Sequence, residues 1–405
     1  MIEETMGQML FLGSTVLLGL ILSRLSKIDF TLTSLAAGVI AGISLPYLGV
    51  DTGLRADNIH EIVFFIVLPV LIFEASWQLD PSRLKRWLAP IMLLSTVGVL
   101  ISAAVMALLV YYGIGHGVGF PVSAALLTGA ILAATDPISV VNTLKRQKAA
   151  EDLTTLIEGE SLFNDATAVV LFTIVFSLAS AHESMSGGYL GLFVTVFFGG
   201  ILLGCLMGLI SAILVLLIGG AAAANIVLLI CAFASYYIAE VFFGVSGIMA
   251  IVSAAIVSRS LLREQEQKYL ASVVNTWDWL GVLFNGFIFV LMGLTITFDM
   301  FREQWLSMII AIVAALIARA ATVFVCGAMT KPMLRPIPMG WQKIQFWGGL
   351  RGAIAIALVL SLPTSFAGWF TIQSMVFAVV LFTLLVQGPS CGALIRRHGL
   401  VAHYG

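Results

Sequence analysis

Apolar residues fill this chain in long runs, broken by short clusters of charge, glycine and proline. A helix needs about 20 consecutive apolar residues to cross a bilayer, and the runs have that length. Read between their punctuation, they predict thirteen membrane-spanning helices, at 6–25, 30–48, 59–79, 87–112, 119–144, 151–180, 189–218, 222–243, 245–262, 271–297, 304–329, 339–361 and 366–395. These are numbered spans 1 to 13. The expected fold is an all-α polytopic membrane protein.

Composition agrees: of 405 residues, 60% are hydrophobic and only 10% charged, whereas a water-soluble domain carries roughly 25% charge. Thirteen spans with their loops use the whole length, so residues 1–405 are expected to form a single transmembrane domain without a sizeable soluble part. The net charge of −1 supplies no basic field for nucleic acid. Glu3 and Glu4 stand where a secretory leader needs positive charge, so the first run is predicted to be a span and not a cleaved leader. Cys205, Cys231, Cys326 and Cys391 fall inside apolar runs without metal-site or redox spacing, and read as packing residues.

Lys and Arg accumulate in cytoplasmic loops. One alternating set of loops, with the tail, holds sixteen of them, among them Arg24, Arg83, Lys85, Arg86, Lys145, Lys148, Arg259, Lys268 and Arg397; the opposite set holds only Arg55 and Arg302. The bias predicts an outside N-terminus and a cytoplasmic C-terminus in a plasma membrane.

Charge inside the spans is the exception that carries information. Glu74, Asp136, Glu160, Asp165, Arg319 and Arg351 lie within apolar runs, and Asp278 lies nearer a helix end. Each costs at least about 2.5 to 3.5 kcal/mol at the bilayer centre, so each needs a partner or a function. On span 6, EGESLFNDATAVV carries Glu160, Ser161, Asn164 and Asp165 within an arc of about 140°. One helix face therefore offers oxygen ligands for a hard cation, and a carboxylate there can hold a cation or a proton.

Pro137 follows Asp136 in the middle of span 5, and proline disfavours helix at the residue before it, so the helix is expected to break at Thr135 and Asp136. Three glycines around Arg351 in FWGGLRGAIAIAL predict a second interruption in span 12. Broken helices at membrane depth belong where they line a cavity, and are a mark of secondary transporters. Spans 5 and 12 correspond if spans 1–6 and 8–13 are two inverted repeats joined by span 7. The two interrupted helices would then cross at one central point beside span 6.

These residues resemble those of the NhaP-type sodium/proton antiporters, the electroneutral branch of the monovalent cation/proton antiporters that includes the animal sodium/hydrogen exchangers. The similarity runs from about Leu68 to Gly388 through LPVLIFEA at Glu74, ATDP at Asp136, EGESLFND ending at Asp165, GVSG at 244–247 and GGLRGAIAIAL at Arg351. It implies a homodimer of thirteen-helix chains in lipid, exchanging Na+ (or Li+) for H+ by alternating access and needing no cofactor. By the same resemblance, Asp165 and Asn164 bind the ion, with Na+ held by Asp165, Ser161, Glu160 and the Thr135 backbone. Asp136 steadies the crossed helices, Glu160 pairs with Arg319, Arg351 occupies the crossover, and Glu74 is the acidic residue of span 3. The long regulatory tail of that family has only a short counterpart after Arg396.

Three other readings compete with this one. K+/H+ exchange on the same fold stays open. A cation channel needs rings of pore-lining groups that one carboxylate stripe does not supply. An intramembrane protease could use Ser246 of GVSG, or Asp136 with Asp165, but His60, His116, His182, His398 and His403 all lie in loops, at span ends or in the tail. Trp277-Asp278-Trp279 reads as an interfacial anchor. Gly199-Gly200 and Gly219-Gly220 read as close packing or a turn, and Asn285 as a polar contact to span 6.

Overall fold

A computed structural model describes residues 2–48, 56–115, 120–147, 149–180, 189–263 and 271–397. Arg55, Lys148, Lys268, His116, His182, His398 and His403 lie outside them. The named elements among the described residues are all helices, and Asp136 and Leu350 form an antiparallel bridge between them. Nine helices among them are long and apolar enough to cross a membrane, and Phe30–Ser44, Val122–Ala133 and Gly247–Leu262 are shorter apolar helices. With the interrupted pair Met339–Trp347 and Ala353–Leu360, every predicted span has its helix.

Span 4 starts earlier than its apolar run. Asp80 accepts from the backbone N–H groups of Ser82 (2.8 Å) and Arg83 (3.3 Å), and Pro81 fills the first helical position, so the helix begins at Pro81. Burial acts to raise the Asp80 carboxyl, but the two N–H donors, with the charges of Arg83 and Arg263, hold it below the usual carboxylate range. A depressed folded-state value means that the cap stabilises at neutral pH and is lost as pH falls through that value. Asp80→Ala is expected to cost about 1 kcal/mol at pH 7 and less at pH 3, read as melting shifts in detergent.

Packing divides the spans into two groups. Span 2 lies along span 10 and span 3 along span 9, while spans 1 and 8 flank these pairs. Span 4 lies along span 11, with span 6 against span 4 and span 13 against span 11. Bare glycine backbones allow the tightest contacts, because lipid supplies no hydrophobic drive between helices. Gly200, Gly204 and Gly208 on span 7 meet the backbone of Ser246, Ala250 and Ala254 on span 9, so a Cβ at any of them would collide. Gly219 and Gly220 instead make the turn into span 8 at positive φ. GVSG proves to be a helix start: Ser246 caps span 9 by accepting from Met249 N–H at 3.2 Å.

Candidate functional site

Spans 5 and 12 are both interrupted near their middles. Span 5 runs Val122–Ala133, opens into extended backbone at Ala134, and resumes at Ile138–Arg146. Where the openings cross, Asp136 N–H donates to the Leu350 carbonyl at 2.9 Å, closing the bridge between them. The Asp136 carboxylate turns back to accept from Ile138 N–H at 2.9 Å, satisfying a donor that the proline break freed. A Cβ at Gly352 would overlap that carboxylate, which is why glycine stands at the crossing.

Arg351 is buried at the crossing. Its Nη1 donates to the Gly349 carbonyl at 2.7 Å, and its backbone N–H donates to Thr383 Oγ1 at 3.2 Å. Thr383 opens a widened π-type turn in span 13, a feature common at functional sites. The guanidinium thus serves a carbonyl that the interruption frees.

Span 6 presents its polar stripe to the gap in span 5. Ser161 Oγ donates to the Thr135 carbonyl, Asn164 Nδ2 donates to Thr135 Oγ1 at 2.6 Å, and Thr135 N–H donates to Asn164 Oδ1 at 3.3 Å. The Thr135 peptide is therefore clamped by two side chains one helical turn apart. Asp165, on the same face, has no hydrogen-bond donor among the described residues, is only partly covered, and lines a cavity. Asp136 and Arg351 are the charges that act on it.

Glu160 points away from that cavity into a buried network. Arg319 of span 11 holds it through both terminal nitrogens, with Nη2 at 3.3 Å from Oε2. Gln345 Nε2 adds a bond to Oε2 at 3.0 Å, and the Gln345 carbonyl accepts from Arg319 Nε (3.1 Å) and Nη2 (2.9 Å). Gly349 packs against Arg319 so closely that a Cβ would strike Nε. Gly349→Ala is thus expected to melt several degrees below the parent in detergent, a shift of the size that forced overpacking of about 1–3 kcal/mol produces.

The cavity has a volume of about 470 Å³ and lies between the span 5/6/12 crossing and spans 2, 3 and 10. Among the described residues six carboxylates line it, Asp29, Glu74, Asp136, Glu158, Asp165 and Asp278, against one positive side chain, Lys145. Lys145 is already paired with Glu158 at 2.9 Å. A low-dielectric cleft of one sign concentrates counter-ions, here cations. The oxygens beside Asp165 are its own carboxylate, the Ser161 hydroxyl and the Thr135 carbonyl and hydroxyl.

One expected ligand departs from the set: Glu160, expected to help hold Na+, does not line the cavity, because its carboxylate is taken up by Arg319 and Gln345. Asp165, Asn164, Ser161, Thr135 and Asp136 share one face of the crossing; Glu160 and Arg319 form a pair just behind it; Arg351 fills the crossover; and Glu74 lies on the far wall of the cavity. Gln345 and Thr383 were not foreseen. Trp277 differs from expectation: it packs inward on Phe73, ring centroids 4.3 Å apart, and only Trp279 faces outward as an anchor would.

The family described as "Sodium/hydrogen exchanger, transmembrane" matches residues 12–397. Among similar proteins, the Na(+)/H(+) antiporter ApNhaP of Aphanothece halophytica is 32% identical over 406 residues, covering 99% of this chain and 76% of that protein. The Na(+)/H(+) antiporter NhaP of Pseudomonas aeruginosa is 32% identical over 427 residues, covering 96% of this chain and 95% of that one. The solved structure of the sodium proton antiporter MjNhaP1 from Methanocaldococcus jannaschii superposes with a TM-score of 0.83 at 22% identity, over 97% of this chain and 99% of that one, which establishes the shared fold.

Proposed function

The chain belongs to the transmembrane sodium/hydrogen exchanger family, and from that premise we propose how it works as a sodium/proton antiporter. Asp165 carries either Na+ or H+, one at a time. The observation behind this reading is a cavity-facing carboxylate without a donor, set beside a clamped peptide on a broken helix. Na+ takes Asp165, with Ser161 Oγ and the Thr135 oxygens completing its shell. Asn164 holds the Thr135 peptide in place. Glu160 stays paired with Arg319 and acts behind the site, and Asp136 and Arg351 hold the crossed helices together.

The packing pairs support an inverted repeat. Exchanging spans 1–6 with spans 8–13 turns the span 2/span 10 pair into span 9/span 3, the span 4/span 6 pair into span 11/span 13, and span 4/span 11 into itself. Rocking of one group of spans against the other would expose the crossing to either side in turn. Asp29, Gln78, Lys145 and Asp278, which line the cavity, sit at the span ends that carry the Lys- and Arg-rich loops. With those loops cytoplasmic, the N-terminus outside and the chain in a plasma membrane, the cavity opens inward. The family resemblance extends the proposal to a homodimer that serves pH homeostasis.

Sodium-driven proton movement in proteoliposomes, followed with a pH dye and compared for Na+, Li+ and K+, tests the assignment. Dequenching by Na+ and Li+ but not K+ is the expected result, and a response to K+ alone would refute it. Because one carboxylate serves both ions, the Na+ concentration at half-maximal rate is expected to rise as pH falls, by about tenfold per pH unit once protons occupy the site. A half-saturation that stays constant across pH would mean that the two ions use separate groups.

A further inference from the structure

Hydrogen bonds placed end to end join span 6 to span 13 through both interrupted helices. Ser161 Oγ donates to the Thr135 carbonyl, and the N–H of that same peptide unit, carried by Asp136, donates to the Leu350 carbonyl at 2.9 Å. The N–H of the Leu350 peptide unit, carried by Arg351, donates in turn to Thr383 Oγ1 at 3.2 Å. The Thr383 hydroxyl passes the line on to the Val380 carbonyl at 2.8 Å, with the Arg351 carbonyl as a longer alternative at 3.2 Å. Every link is shielded from water: Ser161, Leu350, Arg351 and Thr383 are each 2% exposed, and Thr135 is 5% exposed. A peptide group whose N–H is engaged presents a more negative carbonyl, and bonds aligned in this way polarise one another by roughly 10–30% each. The near end of the line is the Thr135 carbonyl, one of the oxygens assigned to Na+. Its far end, Thr383, opens the widened turn Thr383–Gln387 and does not line the cavity.

We propose that Thr383 is a positioning residue for the transported cation: through the Leu350–Arg351 and Thr135–Asp136 peptide units it orients and polarises the Thr135 carbonyl, and so sets how strongly that oxygen holds Na+. A hydroxyl suits the position because it accepts from the Arg351 N–H while donating onward, and a hydroxyl that donates is the stronger acceptor. Without it the Arg351 N–H becomes a buried donor left unpaired, and the peptide unit that receives Asp136 loses the anchor at its far end. Spans 6 and 13 correspond in the inverted repeat, and each bonds the backbone of the break beside it on both the N–H and the carbonyl side. Ser161 and Asn164 do so at Thr135, and Thr383 does so at Arg351. The consequence grows with the charge density of the ion. Li+ is smaller than Na+ and approaches each oxygen more closely, so a weakened carbonyl costs Li+ more. The inference rests on the reading that Na+ takes the Thr135 oxygens, but not on transport itself.

Binding to the purified full chain in detergent, read as the rise in melting temperature with Na+ or Li+ concentration, measures the effect without transport. Thr383→Val keeps the shape and removes the hydroxyl. Its half-saturating Na+ concentration is expected to rise about fivefold, the worth of one lost hydrogen bond, and its Li+ value to rise further. Thr383→Ser, which keeps the hydroxyl, is expected to bind both ions as wild type does. In proteoliposomes Thr383→Val should show the same rise in half-saturating Na+ with little change in maximal rate, the split expected when uniform binding is lost. A role in helix packing alone gives another pattern, a lower melting temperature with unchanged half-saturation for both ions, and that result overturns the proposal. Thr383→Ser binding as weakly as Thr383→Val overturns it as well. Thr383→Cys, whose thiol is a weaker donor and acceptor, keeps the test decisive if Thr383→Val melts early: it too should weaken Li+ more than Na+, and wild-type binding of both ions by it overturns the proposal. Unaltered binding in Thr383→Val beside working exchange overturns the relay and leaves antiport standing. The expected binding shifts in a chain that moves no protons overturn antiport and leave the relay standing.

Discussion

Purified Asp165→Asn is expected to exchange no faster than empty liposomes while keeping its melting temperature within a few degrees of wild type. The substitution keeps the shape of the side chain and removes its charge. No described group donates a hydrogen bond to the carboxylate, so packing loses little. What is lost is the one group at the crossing that can trade a cation for a proton, because Glu160 is closed off by Arg319 and Gln345 and the Asp136 carboxylate already accepts from Ile138 N–H. Exchange by Asp165→Asn at even a tenth of the wild-type rate would move the carrier role elsewhere, with Glu74 the first alternative.

The second large effect concerns stability. Arg319→Ala strands Glu160 as a buried, uncompensated carboxylate and also frees the Gln345 carbonyl. Breaking one side of a buried ion pair costs about 3 to 5 kcal/mol, whereas removal of an exposed charge is close to neutral. Arg302, exposed at the end of a short helix near span 11, is the control on the same part of the chain. Arg319→Ala should melt well below Arg302→Ala in the same detergent, and Glu160→Gln introduced alongside should recover part of the loss by removing the stranded charge. Equal melting shifts for the two arginine variants would mean that the pair does not hold span 6 to span 11.

Much of this site was legible because intramembrane charge is costly and therefore rare. Asp136-Pro137 announced a break, the glycines around Arg351 announced another, and the spacing 160, 161, 164, 165 put four polar groups on one face. The Glu160–Arg319 pair, implied by the family resemblance, also followed from two unmatched buried charges. Gln345 and Thr383 were not legible. Glutamine and threonine are inexpensive enough in a span to carry no signal alone, and their partners lie 185 and 32 residues away in sequence. Asp278 was read through its tryptophan neighbours, and only the fold turns it toward Glu74 and Gln78. Span 4 extends beyond its apolar run because Arg83, Lys85 and Arg86 look like a loop, whereas Asp80 and Pro81 begin a helix that places Arg83 against Glu151 of span 6.

The roles proposed for Glu160 and Asn164 together imply neutral exchange. With Glu160 cancelled by Arg319 and an uncharged amide beside Asp165, the site is neutral when it carries Na+ and equally neutral when it carries H+. Each cycle then moves one positive charge in each direction, and membrane voltage has nothing to act on. A voltage of 100 mV is worth about 2.3 kcal/mol per elementary charge, enough to shift the balancing Na+ gradient roughly fiftyfold if one net charge crossed per cycle. The decisive measurement is the Na+ gradient at which proton flux vanishes in proteoliposomes clamped at different potassium diffusion potentials. The account predicts that flux vanishes when the Na+ and H+ ratios are equal, at every potential; a balance point that moves with voltage, or that needs two protons per Na+, would show a second titrating group in the site and contradict it.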